Sequence, residues 1–93
     1  MKIGSNEDLK NFLDELSETC KKNKKVEISG LLHQASLNYI ASSSEFLGEA
    51  RGVLTKILAI KIGGLDNDEK KQVRGIVEMI DRAFRKANGL TSR

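Results

Sequence analysis

Residues 42–65, SSSEFLGEARGVLTKILAIKIGGL, carry the clearest helix start and stop in the chain. Ser42 and Glu45 stand three apart, the spacing of a capping box. The hydroxyl can accept from one free backbone N–H while the carboxylate reaches back to another. Gly63-Gly64 marks the stop, because glycine turns left-handed without a Cβ penalty, and Leu65 is placed to fold back onto Ile60. At about 100° per residue, Phe46, Ala50, Val53, Leu54, Ile57, Leu58 and Ile60 share one broad apolar face. On the opposite side Gly48, Gly52, Thr55, Ala59 and Gly63 line up at spacings of 4, 3, 4 and 4. Each interior glycine costs a helix about 0.5–1 kcal/mol relative to alanine. Such a strip either receives another backbone at close range or merely tolerates solvent.

Working back from this helix, the link Ser42-Ser43-Ser44 is short, which makes its neighbour an antiparallel partner. That neighbour spans about residues 26–41. Ile28, Leu31, Leu32, Ala35 and Tyr39 form one apolar face, and Val26, Leu37 and Ile40, with His33 among them, form a second. Ile28 through Ser44 is a run of seventeen residues without Lys, Arg, Asp or Glu, in a chain that is 31% charged. The run predicts burial on more than one side. Gly30 also permits a later helix start.

The flanking helices are simpler. The first covers about residues 6–22, with Ser5 and Asp8 at its start and Leu9, Phe12, Leu13, Leu16 and Cys20 on one narrow stripe. Its acids lie early and its lysines late, as the helix dipole prefers. Lys21-Lys22-Asn23-Lys24-Lys25 reads as a solvated helix end rather than an interaction tail. The fourth helix covers about residues 67–88. It is opened by an Asp66/Glu69 capping box and closed at Asn88-Gly89, with Leu90 placed to fold onto Phe84. Val73, Ile76, Val77, Ile80, Ala83, Phe84 and Ala87 make its apolar stripe.

Four helices on short links predict a single all-α domain, a small antiparallel four-helix bundle. The absence of proline agrees with uninterrupted helices. A net charge of +3 suits a soluble domain and demands no polyanionic partner. One cysteine makes no intramolecular disulfide, which points to a reducing compartment. The start, MKIGSNEDL, lacks the apolar core of a secretory signal, and no run of about 18 apolar residues occurs. The expected location is the cytoplasm, with no membrane contact.

No motif carries a specific chemistry. Cys20 and His33 are the sole residues of their kinds, too few for a structural zinc site. Cys20 lies on the core stripe and reads as a small buried hydrophobe, and His33 as a hydrogen-bonded, partly buried residue. Asp66-Asn67-Asp68 fails as a calcium loop, since Lys71 and Val77 stand where Gly and Glu are required. No cofactor, metal or enzymatic activity is expected. On the fourth helix Lys71, Arg74, Arg82, Arg85 and Lys86 could track phosphates, but Glu78 and Asp81 fall at intrahelical pairing distances from them.

The expectation is a helical interaction or regulatory module that forms a homodimer, with another protein as a further possible partner. Its interface is predicted at Val26, His33, Leu37, Ile40, Gly48, Gly52, Thr55 and Ala59. One alternative is a skewed bundle that buries the second helix internally. The other is a nucleic-acid binder using the basic strip of the last helix.

Overall fold

The computed structural model describes residues 5–40, 42–61 and 64–91, with side chains through Arg85. Four helices follow in order: α1 (Asn6–Lys22), α2 (Val26–Leu37), α3 (Ser43–Leu58) and α4 (Asn67–Thr91). A 3-10 turn, Asn38–Ile40, extends α2, and no strand occurs among the described residues. The helices run up, down, up and down. Ser17 of α1 bonds Ser29 of α2, Arg51 of α3 pairs with Asp81 of α4, and Asn6 reaches Ser43 so that the starts of α1 and α3 share one end. This is the all-α antiparallel bundle that the stripes predict.

Local chemistry sets each boundary. The Ser5 hydroxyl accepts from the Asp8 N–H at 3.2 Å, and Glu7 and Asp8 meet the positive end of the α1 dipole. At the other end, the Lys25 N–H donates to the Cys20 carbonyl at 2.7 Å and the Lys24 N–H to the Lys21 carbonyl at 3.1 Å. These are the two bonds of a Schellman reversal, and Lys24 takes its left-handed position with φ of 64°. Glycine adopts that conformation without the Cβ clash. Lys24→Gly should therefore stabilise the fold by about 0.5–1 kcal/mol, net of the extra freedom glycine adds to the unfolded chain. A thermal melt should rise by a few degrees, and a fall would mean that the lysine stem contributes packing that offsets the strain.

The start of α3 departs from the expected reciprocal box. Ser42 Oγ accepts from the Glu45 N–H at 3.2 Å, but the Glu45 carboxylate accepts from the Ser42 hydroxyl at 3.1 Å rather than from a backbone N–H. The box at α4 is complete: the Glu69 N–H donates to Asp66 Oδ1 at 2.8 Å, and the Asp66 N–H to Glu69 Oε1 at 3.0 Å. Both predicted helix stops move. α3 ends at Leu58, where the Ala59 N–H bonds the carbonyls of Thr55 and Lys56, before the glycine pair is reached. Gly64 serves a close approach instead, since a Cβ there would lie 2.7 Å from the Ile60 carbonyl oxygen. Gly63 lies outside the described residues. α4 runs through Asn88-Gly89 to Thr91, because an isolated glycine slows a helix without forcing it to end. The contact expected of Leu90 lies outside the described side chains.

The core is one cluster from all four helices, centred on Leu9, Leu13, Leu32, Phe46, Leu54, Ile57 and Val73, and Leu65 joins it from the last loop. Serines admit close contact between α1 and α2. Ser17 Oγ lies 2.9 Å from both the carbonyl and the hydroxyl of Ser29, so the buried polar atoms are partnered. Among the described residues no buried side-chain N or O lacks a partner.

Candidate functional site

α2 buries Ile28, Ser29, Leu32, Ala35 and Ser36, which all lie on one side. The charge-free run therefore does not mark burial on two sides. Val26, Leu37 and Ile40 are 68%, 53% and 94% exposed, and His33 is exposed rather than partly buried. The reason is geometric: α1 and α3 flank α2, and among the described residues nothing covers its back. A helix also needs no formal charge to be wetted where Gln, Ser, Asn and Gly share its surface.

The exposed residues form a line. Val26, Gly30, His33, Leu37 and Ile40 follow at spacings of 4, 3, 4 and 3. In the 3-10 turn, side chains three apart eclipse, so Ile40 continues the line above Leu37. Tyr39 turns the other way and meets the Phe46 ring edge-on, with centroids 5.8 Å apart at 83°.

The small strip of α3 is also on the surface. Gly48, Gly52, Thr55 and Ala59 are all exposed. A Cβ on Gly52 would meet nothing within 4 Å, and one on Gly48 only the Phe84 ring at 4.0 Å. Among the described residues no backbone approaches these glycines closely, so they are not the seat of a skewed internal packing. The two predicted sets do not merge into one patch. The line on α2 lies on the α1 side, since His33 stands one turn on from Ser29, which bonds Ser17 of α1. The strip on α3 leans toward α4, where Phe84 borders Gly48. Between them runs a groove of about 520 Å³ lined by Glu27, Ile28, Gly30, Leu31, Gln34, Lys56 and Ile60. The later start that Gly30 permits is not taken, since α2 runs through it from Val26, and neither its place on this line nor the groove was read from the sequence. The 4-3-4-3 spacing would have exposed the glycine, whereas the groove exists only once α3 is set beside α2.

The basic residues of α4 share its outer side, with Lys71, Arg74, Arg82 and Arg85 all exposed and the exposed Glu78 between Arg74 and Arg82; the Lys86 side chain lies outside the described residues. Its charge is partly answered. Arg82 pairs with Glu78 at 3.1 Å as the spacing predicts. Asp81 turns to Arg51 on α3 instead of pairing with Arg85, and its bond to that guanidinium holds its carboxyl below the usual range. Arg82 and Glu78 are both well exposed, so their pair contributes only about 0–1 kcal/mol. Replacing Arg82 and Arg85 together with Gln should leave a urea midpoint nearly unchanged. A loss above about 1.5 kcal/mol would assign them a structural role that exposed pairs do not have.

Cys20 is fully buried, and burial pushes its thiol above the ordinary value. Ser17 stands opposite Ser29, which sets Cys20 near the level of Val26 and His33 near that of Leu13. Seven residues of helix, about 10 Å, therefore separate Cys20 from His33, too far for a thiol–imidazole hydrogen bond. Among the described residues no group of His, Cys, Asp and Glu is arranged to hold a metal, and no helix is long and apolar enough to cross a membrane. Comparison with known protein families, curated proteins and solved structures gives no match to this chain.

Proposed function

We propose that the protein is a small helical interaction module that binds a second copy of itself through the outward surfaces of α2 and α3. The observation that carries this reading is the wet apolar line: Val26, Leu37 and Ile40 stay exposed in a chain with few large apolar side chains to spare. Fully burying one such side chain is worth about 1.5–3 kcal/mol, and exposed apolar patches commonly mark contact sites. A second copy is the simplest occupant, because two-fold dimers are the commonest soluble oligomers. Light scattering at micromolar concentration should give twice the 10.3 kDa of one chain. A strict monomer removes the proposal. Gly52→Leu then asks whether the α3 strip takes part: a lower mass places it in the contact, and an unchanged mass leaves it out.

A second reading rests on Lys71 and Arg74, which have no acidic side chain within ion-pair distance among the described residues. They would meet a polyanion along α4. Binding of duplex DNA or RNA that falls steeply with salt and is lost in Lys71→Gln/Arg74→Gln would favour it over self-association.

A further inference from the structure

We propose that the end of the bundle where α1 and α3 stop and α2 and α4 start binds the phosphate backbone of a double-stranded nucleic acid, without regard to sequence. Three contacts bring the four helix ends together. Lys25 pairs with Glu69 at 3.7 Å, which sets the start of α2 beside the start of α4. Lys56 and Ile60 share a groove with Glu27 and Ile28, which adds the end of α3. Thr19 shares a cleft with Glu69 and Gln72, which adds the end of α1.

On its own the run Lys21-Lys22-Asn23-Lys24-Lys25 is a solvated helix end, but the fold adds to it. Lys56 and Lys61 join from the end of α3, and Lys70 and Lys71 from the start of α4. Within four residues of the four helix ends, and in the connections between them, stand eight lysines and five carboxylates: Glu18, Glu27, Asp66, Asp68 and Glu69. The whole net charge of +3 therefore sits at this end, and the rest of the chain is balanced. Two of the five carboxylates are engaged, since Glu69 pairs with Lys25 and Asp66 caps α4. Apart from Lys25, none of these lysines makes an ion pair among the described residues. Lys21, Lys22, Lys24, Lys56, Lys61 and Lys71 are all exposed. Like charges gathered this way repel one another, and a polyanion relieves the repulsion.

The side chains also select the polyanion. No arginine stands at this end, so the contacts are point charges on phosphates rather than forks on guanine edges. No aromatic residue stands there either, and single strands are held largely by stacking. Val26 is the one large apolar side chain exposed there among the described residues, too little to anchor in a bilayer. A duplex offers what remains, a dense row of charge at about 1.7 Å per phosphate along its axis. Four packed helices make an end about 20 Å across, which faces about six base pairs. This place differs from the outer strip of α4. Lys71 belongs to both, but Arg82 and Arg85 lie more than about 20 Å along α4 from its start.

Fluorescence anisotropy with a labelled duplex of about 20 base pairs tests the site. With about four lysines on phosphates, binding should be micromolar at about 50 mM salt and about a hundredfold weaker at about 200 mM. Lys22→Gln/Lys24→Gln and Lys56→Gln/Lys61→Gln should each weaken it about tenfold or more at about 50 mM salt, and each should flatten the salt slope by about two. These side chains are exposed and Lys25 is kept, so circular dichroism should not change. Arg82→Gln/Arg85→Gln should bind as the wild type does. No binding at about 50 mM salt overturns the site. Loss confined to Lys22→Gln/Lys24→Gln would reduce it to the lysine run and overturn the assembled end. Loss confined to Arg82→Gln/Arg85→Gln would move the contact to the outer strip of α4. Binding to vesicles of equal parts phosphatidylcholine and phosphatidylserine, with none to the duplex, would overturn it in favour of a membrane surface. No step reads the mass of the protein, so this site and the self-association proposed above stand or fall separately.

Discussion

Phe46→Ala should cost about 3–5 kcal/mol of folding free energy, the largest loss expected of any single truncation here. Phe46 is fully buried at the start of α3, where the 3-10 turn after α2 meets the bundle. Removing the ring deletes its transfer energy and leaves a cavity that three helices and a capped turn hold open. It also removes the surface on which Tyr39 rests edge-on. A domain of 93 residues has a total stability of about 5–14 kcal/mol, so the variant keeps only part of it. At about 4–8 °C per kcal/mol for a chain of this size, the melting point should fall by roughly 15 °C or more. Urea unfolding followed by circular dichroism gives the same quantity from the midpoint. A loss below about 1.5 kcal/mol would mean that the site collapses around the alanine and that Phe46 does not anchor the turn. Because Ile40 stands on that turn, the variant should also weaken any self-association more than its residual fold predicts.

Helix stripes were legible because a 3.6-residue period survives any arrangement of the helices in space. Leu9, Phe12, Leu13, Leu16 and Cys20 are buried as a set, as are Phe46, Ala50, Val53, Leu54 and Ile57. The starts were legible for the same local reason: Ser5, Ser42 and Asp66 each act within three residues. The stops were not. Ala59 ends α3 on backbone bonds that need no special residue, and α4 passes through Asn88-Gly89 because nothing forces a reversal there. The second face of α2 shows a different limit. Val26, Leu37 and Ile40 were visible as an apolar set, but a stripe does not say whether it meets its own bundle, a partner or water. That depends on how α2 is rotated between α1 and α3, which is a tertiary quantity. The same rotation separates the α2 line from the α3 strip, so the eight predicted interface residues lie on the surface without forming one patch.

Cys20 should be the most protected reactive group in the molecule. It has no exposed surface, and burial, followed by the carboxylates of Glu69 and Asp66, disfavours the thiolate that a reagent needs, with Lys25 acting the other way. Reaction then requires an opening of the structure. If global unfolding is the route, a stability of about 5 kcal/mol or more slows labelling by over about a thousandfold relative to the denatured chain. A local route exists in principle, since Cys20 lies within the last turn of α1. That end is held by the Lys25 N–H on the Cys20 carbonyl, and Lys25 is itself tied to Glu69 by a half-buried ion pair at 3.7 Å. Fraying the last turn therefore breaks a backbone bond and a contact to α4 together. The urea dependence of the labelling rate separates the routes: a slope close to that of equilibrium unfolding marks global opening, and a shallow slope marks fraying. Glu69→Gln should leave the slope steep if the Schellman bonds alone hold the turn, and flatten it if the ion pair is needed. Native labelling as fast as that of the denatured chain would place the thiol at the surface, contradict the burial of Cys20 beside Phe12, Leu13 and Leu16 on the core face of α1, and mark Cys20 as a reactive group.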